Sequence, residues 1–121
     1  MSVDPGLVDW VEECLAPVGT LTLRRMMGGA TLYLDGTIFA LIADDLLWFK
    51  ADATSEATWD AAGCPAFTYA FANGREGRMN YRRAPEDVHD DPDAMRHWAA
   101  LALEAGQRAP KARPKRKKGQ D

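Results

Sequence analysis

The sequence predicts an α+β domain, in which an antiparallel sheet of about five to six strands packs against helices from both ends of the chain. Apolar residues recur with the period of a helix in the first 16 residues and again after Asp91. Between these segments, apolar and polar residues alternate as they do in strands. Turn dipeptides such as Asp35-Gly36 separate the alternating segments, so neighbouring strands are expected to be antiparallel.

The first helix is predicted over Pro5 to Ala16. Asp4 can accept hydrogen bonds from the free N–H groups of the first turn, and Pro5 fits there because no N–H is needed. Four apolar residues then fall on one face: Leu7, Trp10, Val11 and Cys14. This face is expected to be buried.

A meander of four antiparallel strands is predicted from Thr20 to Lys50. Asp35-Gly36 and Asp44-Asp45 suit its tight turns, since these residue types tolerate a positive φ. The third and fourth strands are apolar on both faces, through Phe39, Leu41, Leu47 and Phe49. This pattern indicates central strands, a covered second face or a subunit interface, and a homodimer through these strands is one expectation.

A short helix is predicted over Thr54 to Ala62, anchored by Trp59 and ended by Gly63, which suits the left-handed conformation. A second hairpin follows. Its two strands carry alternating large side chains: Phe67, Tyr69, Phe71, Met79 and Tyr81.

The loop of this hairpin, Gly74 to Gly77, has the G-x-x-G spacing with which KH domains clamp nucleic acid. Here it joins two strands rather than two helices, so a plain hairpin loop is predicted. Arg78 and Arg82 alternate with apolar residues on the return strand. They are interpreted as cations that solvate and protect an edge strand, with nucleic-acid contact as the alternative.

The last helix repeats the pattern of the first, with Asp91 as its cap and Pro92 in its first turn. Its apolar stripe consists of Met95, Trp98, Ala99, Ala102 and Leu103. Gly106 is expected to end it.

The charges divide the chain into two parts. Residues 1–107 carry eight basic and 17 acidic residues, whereas residues 108–121 carry seven basic and one acidic. An acidic domain over 1–107 and a disordered basic tail over 108–121 are therefore predicted. The tail is a candidate for non-specific nucleic-acid contact through Arg108, Lys111, Arg113, Lys115, Arg116, Lys117 and Lys118, or it only solubilises the chain.

Several classes of function are not favoured. No apolar run is long enough for a membrane-spanning helix, and the first residues lack the features of an export signal, so a cytoplasmic protein without membrane contact is expected. Cys14 and Cys64 are expected to be buried free thiols. His89, His97 and the acidic residues between them make a poor metal site, because Asp91 already caps a helix. We therefore predict no catalytic residues, no metal and no cofactor.

A series of short motifs occurs in a fixed order along the chain. They are Arg24-Arg25-Met26-Met27-Gly28-Gly29, Phe39-Ala40, Leu47-Trp48-Phe49-Lys50, Gly63, Phe67-Thr68-Tyr69, Met79-Asn80-Tyr81, Pro85 and Trp98-Ala99. Together they resemble the N-terminal domain of the TfoX/Sxy family of competence regulators, from about Leu7 to Ala105. The resemblance implies a two-layer fold similar to secretion chaperones and no known enzymatic activity.

Full-length members of that family add a C-terminal domain similar to helix-hairpin-helix modules. They promote expression of DNA-uptake genes alongside a cyclic-AMP-responsive transcription factor. The present chain is expected to be a stand-alone form without the second domain. The resemblance thus favours a non-enzymatic regulatory or adaptor domain that binds a protein partner in the transcription machinery or a transcription regulator. Nucleic-acid binding through the tail, a small-molecule-binding domain and an uncharacterised enzyme are the alternatives.

The candidate partner contact is the motif at the end of the first strand: Arg24, Arg25, Met26, Gly28 and Gly29. Alternation places Arg25 on the side of the apolar residues Leu21 and Leu23, so one of the two arginines is expected to be partly buried. It would then brace the glycine turn or pair with an aspartate of the Asp44-Asp45 turn. The alternative is a bidentate contact with an anion or carboxylate of a partner.

Overall fold

The computed structural model describes residues 4–26, 28–70 and 72–109 of the chain. Within them it contains six strands, three α-helices and one 3-10 turn. In chain order these are α1 Pro5–Leu15, β1 Leu21–Met26, β2 Gly29–Leu34, β3 Thr37–Ala43, β4 Leu46–Lys50, α2 Glu56–Ala61, β5 Ala66–Ala70, β6 Glu76–Arg83, the 3-10 turn Glu86–His89 and α3 Pro92–Arg108. The predicted α+β class is confirmed.

The six strands form one antiparallel sheet in the order β1-β2-β3-β4-β6-β5. The first four follow the predicted meander. The second hairpin then joins the sheet through its return strand, since β6 pairs with β4 and places Arg82 opposite Phe49. The prediction that Arg78 and Arg82 lie on an edge strand is therefore wrong, because β6 is an inner strand and β5 forms the edge.

Both tight turns of the meander have the predicted conformation. Asp35 and Gly36 have φ values of 49° and 84°, and Asp44 and Asp45 have 54° and 62°. The Asp35 carboxylate also accepts a hydrogen bond from the backbone N–H of Thr20, at 3.0 Å. The first turn is thus also held by the residue that precedes β1.

The three helices lie on one side of the sheet, where the core centres on Trp59. Its ring centroid is 5.8 Å from that of Phe49 in the sheet and 5.0 Å from that of Trp98 in α3. Its indole N–H donates to the hydroxyl of Ser55, at 3.2 Å. Trp59 thus joins α2, the sheet and α3, as the anchor role predicted for it requires.

A β-bulge explains why the middle strands are apolar on both faces. The pairing of β2 with β3 shifts between Leu32 and Tyr33, and Phe39 packs in the core together with its neighbour Ala40. Of the residues that suggested a second apolar face, only Leu41 remains on the side away from the helices. The homodimer stays a prediction, and most of the pattern behind it is accounted for within one chain.

Helix α3 begins as predicted and ends later than predicted. The Asp91 carboxylate caps it by accepting from the N–H of Asp93, at 3.0 Å. Gly106 does not end the helix, which continues to Arg108. A Cβ at Gly106 would lie 2.0 Å from the carbonyl oxygen of Ile38. The glycine therefore allows α3 to lie directly against β3.

Arg108 belongs to the last turn of α3, and the predicted boundary between domain and tail is placed one residue too early. Its guanidinium binds the carboxylate of Asp52 with two hydrogen bonds, of 2.8 and 3.0 Å. The other predicted tail contacts lie outside the described residues: Lys111, Arg113, Lys115, Arg116, Lys117 and Lys118.

Replacing Gly106 with alanine is expected to lower the free energy of unfolding by about 2–3 kcal/mol, because the helix must move off the sheet. The matched control is Gly6→Ala in α1, where the added Cβ meets only the Asp4 carboxylate, at 3.4 Å, and alanine favours the helix. Urea denaturation measures both. Equal stability of Gly106→Ala and the wild type would show that α3 does not approach β3 this closely.

The ion pair of Arg108 makes stability depend on acid pH. Its hydrogen bonds lower the pKa of Asp52 to about 2, against about 3.9 in an unfolded chain. Because the folded value is the lower one, the pair stabilises the fold above about pH 4, and this contribution is lost as the pH falls through about 2.

Asp52→Asn is therefore expected to melt below the wild type at pH 7, by a margin that closes between about pH 4 and about pH 2. Thermal melts followed by circular dichroism across this range measure the margin. The control is Asp9→Asn, which removes an exposed carboxylate on α1. A margin for Asp52→Asn that stays constant with pH would contradict the pair's contribution.

Candidate functional site

The predicted contact motif lies on β1, which forms one edge of the sheet. Among the described residues β1 pairs only with β2. Leu23 and Arg25 lie opposite Leu32 and Ala30, on the helix side, which confirms the predicted position of Arg25. Arg24 and Met26 lie on the other side.

A groove of about 280 Å³ runs between α1 and this strand. It is lined by Pro5, Val8, Asp9, Glu12, Leu21, Leu23 and Arg25, and we call it the edge groove. Its floor is apolar. Arg25 supplies a positive charge from the strand, and Asp9 and Glu12 supply negative charges from the helix.

The backbone of β1 offers hydrogen bonds along the same groove. The N–H of Asp35 donates to the carbonyl of Thr20, at 2.9 Å, so these two residues form a hydrogen-bonded pair. In an antiparallel ladder such pairs alternate, and the N–H and C=O groups of Leu21, Leu23 and Arg25 therefore point away from β2. The three β1 residues that line the edge groove are therefore also the ones whose backbone groups face the open edge of the sheet.

Arg24 and Arg25 are both exposed, and neither has an ion pair within residues 4–26, 28–70 and 72–109. The expectation of one partly buried arginine, held by the turn or by Asp44 or Asp45, is not met. The strand ends at the edge of the two layers, where α1 does not cover Arg25. Both guanidiniums are available to an anionic group.

The two glycines of the motif have conformational roles. Gly28 adopts a φ of 84° in the turn between β1 and β2. A Cβ at Gly29 would lie 1.9 Å from the carbonyl oxygen of Ile42. The turn predicted here is confirmed, and its glycines set the path of the strand that carries the arginines.

The side of the sheet away from the helices forms a second surface. Contacts across the strands identify it: the rings of Trp48 and Phe67 lie 4.8 Å apart, and Arg83 lies 5.9 Å from the Trp48 ring centroid. With strand alternation, its larger side chains are Arg24, Met26, Tyr33, Trp48, Lys50, Phe67, Tyr69, Met79, Tyr81 and Arg83. We call this surface the outer face.

The outer face combines exposed apolar side chains with cations. Met26, Tyr69 and Met79 are 46%, 39% and 38% exposed, far more than a packed layer would allow. The ammonium of Lys50 lies 5.0 Å from the ring centroid of Tyr81. Burial lowers the pKa of Lys50 and raises that of Tyr81 to about 12, so the phenol keeps its proton at neutral pH.

The six described strands carry no acidic side chain on the outer face. Glu76 is the single acidic residue in the six strands, and alternation places it with Arg78 and Arg82 on the helix side. The charge count of residues 1–107 predicts an acidic domain. The structure separates its charges by face.

An ionic cluster that the sequence analysis missed joins α2 to β6. The guanidinium of Arg82, only 6% exposed, donates to Asp60 at 2.7 Å, to Glu56 at 3.1 Å and to the carbonyl of Cys64 at 2.8 Å. Arg78 shares Glu56, at 3.0 Å. The two cations and two anions balance, which indicates a brace for α2. The sequence did contain a signal for this cluster. Glu56 and Asp60 are four residues apart in a helix, and Arg78 and Arg82 are four apart in a strand. Residues at that spacing share a face in either element.

The cysteines and the residues considered as metal ligands form two further sets. Cys14 and Cys64 are free and buried, as predicted, and burial raises the pKa of both thiols. Asp91 caps α3, as expected. The described residues contain no group of three or more side chains able to hold a metal ion. In the same part of the chain, no helix is long and apolar enough to cross a membrane.

The described residues thus form a small α+β domain with an open strand edge and a sheet face that none of their helices covers. The family model of the TfoX N-terminal domain matches residues 13–106, and the chain belongs to this family. It is similar to the protein Sxy of Escherichia coli K12, with 26% identity over 110 residues. This match covers 91% of the present chain and 52% of Sxy, so the chain spans about half the length of that relative.

Arg82→Gln is expected to lower the free energy of unfolding by about 2–3 kcal/mol, because it leaves the acidic pair on α2 without its buried partner. Arg78→Gln is the control. It removes an arginine that is half exposed and binds the same Glu56, so a loss below about 1 kcal/mol is expected. Chemical denaturation of the two variants measures the difference, and equal losses would contradict the role of burial.

Proposed function

We propose that this domain is a non-enzymatic regulatory adaptor of the TfoX type, which binds a segment of a partner protein at the edge groove. The observation that carries the proposal is the coincidence of two features on β1. The same three residues, Leu21, Leu23 and Arg25, present free backbone groups to the edge and side chains to the groove. This is the arrangement that strand addition uses.

In strand addition, an extended segment of the partner becomes a seventh strand beside β1. Its backbone pairs with the outward groups of β1, which supplies affinity without regard to sequence. Alternate side chains of the segment enter the groove. Val8 and Leu23 favour an apolar residue there, and Arg25 favours a neighbouring carboxylate.

The partner is a component of the transcription machinery or a transcription regulator. Family membership supports this assignment, because the TfoX/Sxy resemblance implies regulation of DNA-uptake genes with a cyclic-AMP-responsive factor. The role in competence and the lack of enzymatic activity form part of the proposal. So does a cytoplasmic location, which follows from such a partner.

Nucleic-acid binding by the basic tail and formation of a homodimer remain predictions beside this proposal. Non-specific nucleic-acid binding through residues 110–121 concerns a segment outside the described residues. A homodimer is testable by sedimentation, which would show a species of twice the 13.3 kDa chain mass. Neither is required for strand addition at the edge groove.

The proposal is tested by binding to purified RNA polymerase and to the cyclic-AMP-responsive regulator. Leu23→Arg fills the groove with charge, and Arg25→Glu reverses the charge at its end. Each is expected to weaken binding about tenfold or more, since either disrupts the recognised side-chain pattern. Arg83→Gln, on the outer face, is the matched control and is expected to retain binding.

Hydrogen exchange adds a readout specific to strand addition. The amides of Leu21, Leu23 and Arg25 should exchange fast in the free protein and become protected in the complex. Those of Thr22 and Arg24 are bonded to β2 in both states. Binding that leaves the alternating pattern unchanged, or no binding to either candidate partner, would overturn the proposal.

A further inference from the structure

We infer that the outer face is a second binding site, which takes single-stranded nucleic acid without strong sequence preference. The inference does not rest on the edge groove, because the two surfaces lie on opposite sides of the sheet. It also differs from contact through the basic tail, because it places the binding on the folded domain.

The first support is the set of aromatic rings on the same face of the sheet. Trp48, Phe67 and Tyr69 lie on β4 and β5 with their rings on the outer face, and Tyr33 lies on β2. An open antiparallel sheet that displays aromatic rings is a platform on which unpaired bases stack. Duplex bases are already stacked on each other, so this platform favours single strands.

The second support is the placement of charge between these rings. Arg83 lies against Trp48, and Lys50 lies against Tyr81. Arg83 can bind the phosphate next to a base stacked on Trp48, or its guanidinium plane can itself stack on a base. Tyr81 is only 6% exposed, so Lys50 contributes charge to the outer face rather than a second stacking ring. The indole N–H of Trp48 has no acceptor among the described residues, which leaves a donor for a nucleotide after a small shift.

The acidic excess of the domain does not cancel this charge. Carboxylates are absent from the outer-face positions of the six described strands, and those of the helices lie behind the sheet. Packed layers are about 10 Å apart, so the carboxylates of the helices lie farther from a ligand on the outer face than the cations of that face do. The charged strand side chains that a phosphate chain meets on the outer face are Arg24, Lys50 and Arg83, and Asp52 is the carboxylate whose charge acts on Lys50.

An acidic protein segment is the competing occupant of the outer face. It would satisfy the cations and cover exposed methionines. It would make less use of the aromatic rings of this face, which suit unpaired bases better than the side chains of one extended strand. The experiment below includes this occupant as an outcome.

The test measures fluorescence anisotropy of labelled oligo-dT and oligo-U of about 15 nucleotides with the full chain, at about 50 to 200 mM salt. Tyr69→Ala removes an exposed ring, and Arg83→Gln removes a cation. Each is expected to weaken binding about fivefold or more, as loss of one stacked base or phosphate contact does. Arg25→Gln, on the helix side, is the matched control and should bind as the wild type does.

A full-length variant with Lys115, Arg116, Lys117 and Lys118 changed to glutamine separates the tail from the face. It should lower affinity for every oligonucleotide and keep the sensitivity to Tyr69→Ala. Circular dichroism confirms that each variant is folded.

Three results would overturn the inference. The first is that the full chain binds no oligonucleotide at about 50 mM salt. The second is that neither Tyr69→Ala nor Arg83→Gln weakens binding, which would assign the binding to the tail. The third is that a polyglutamate peptide displaces oligo-dT at equal charge concentration, which would assign the outer face to an acidic protein segment. In each case the edge groove could still bind its protein partner, so the two proposals fail independently.

Discussion

The fold depends on the burial of Trp59 between the sheet and α3. One side chain contacts Phe49 of the sheet and Trp98 of the last helix, and it is fully buried. This contact holds α2 and α3 on one side of a six-stranded sheet, and the indole N–H of Trp10 in α1 donates to the carbonyl of Val88 on the same side. The helices form a single layer on one side of the sheet, and this layer stops short of β1. The edge groove and the outer face both follow from that geometry.

Charge is distributed to match these surfaces. The acidic excess of residues 1–107 predicts a domain of net negative charge, to which phosphate would be attracted only at a local patch. In the structure the carboxylates stand on helices, in turns and on the helix side of β6, where Glu56 and Asp60 neutralise Arg82. The remaining side carries cations beside aromatic rings. A net charge computed along the chain cannot show such a separation, because it discards which way each side chain faces.

Local features were predictable from the sequence, and long-range ones were not. The caps Asp4 and Asp91, the Asp35-Gly36 turn and the anchor Trp59 act over a few residues, where residue type decides the conformation. The pairing of β6 with β4 joins segments about 30 residues apart, and alternation does not encode which strands become neighbours. The role of Gly106 was misread for the same reason: a glycine near a helix end predicts a stop, and only the approach of β3 shows that it serves packing.

The candidate site was also predicted in part. The motif Arg24 to Gly29 was predicted as a partner contact, but one of its arginines was expected to be paired, and neither has an ion pair among the described residues. The edge groove beside them needs α1 to be placed against β1. The outer face was signalled by alternating aromatic residues in β5 and β6 and by Trp48 in β4. It was not recognised, because the bulge at Leu32 and Tyr33 obscured which apolar residues of β3 point inward.

The central claim is that helices cover one side of the sheet and leave the other open in solution. Hydroxyl-radical footprinting of the full chain, read by mass spectrometry, tests it through methionine oxidation. We expect fast oxidation of Met26 and Met79 and strong protection of Met95, a fully buried residue of α3. Protection of all three to the same degree would contradict it, because a second layer or a second copy would then cover the outer face.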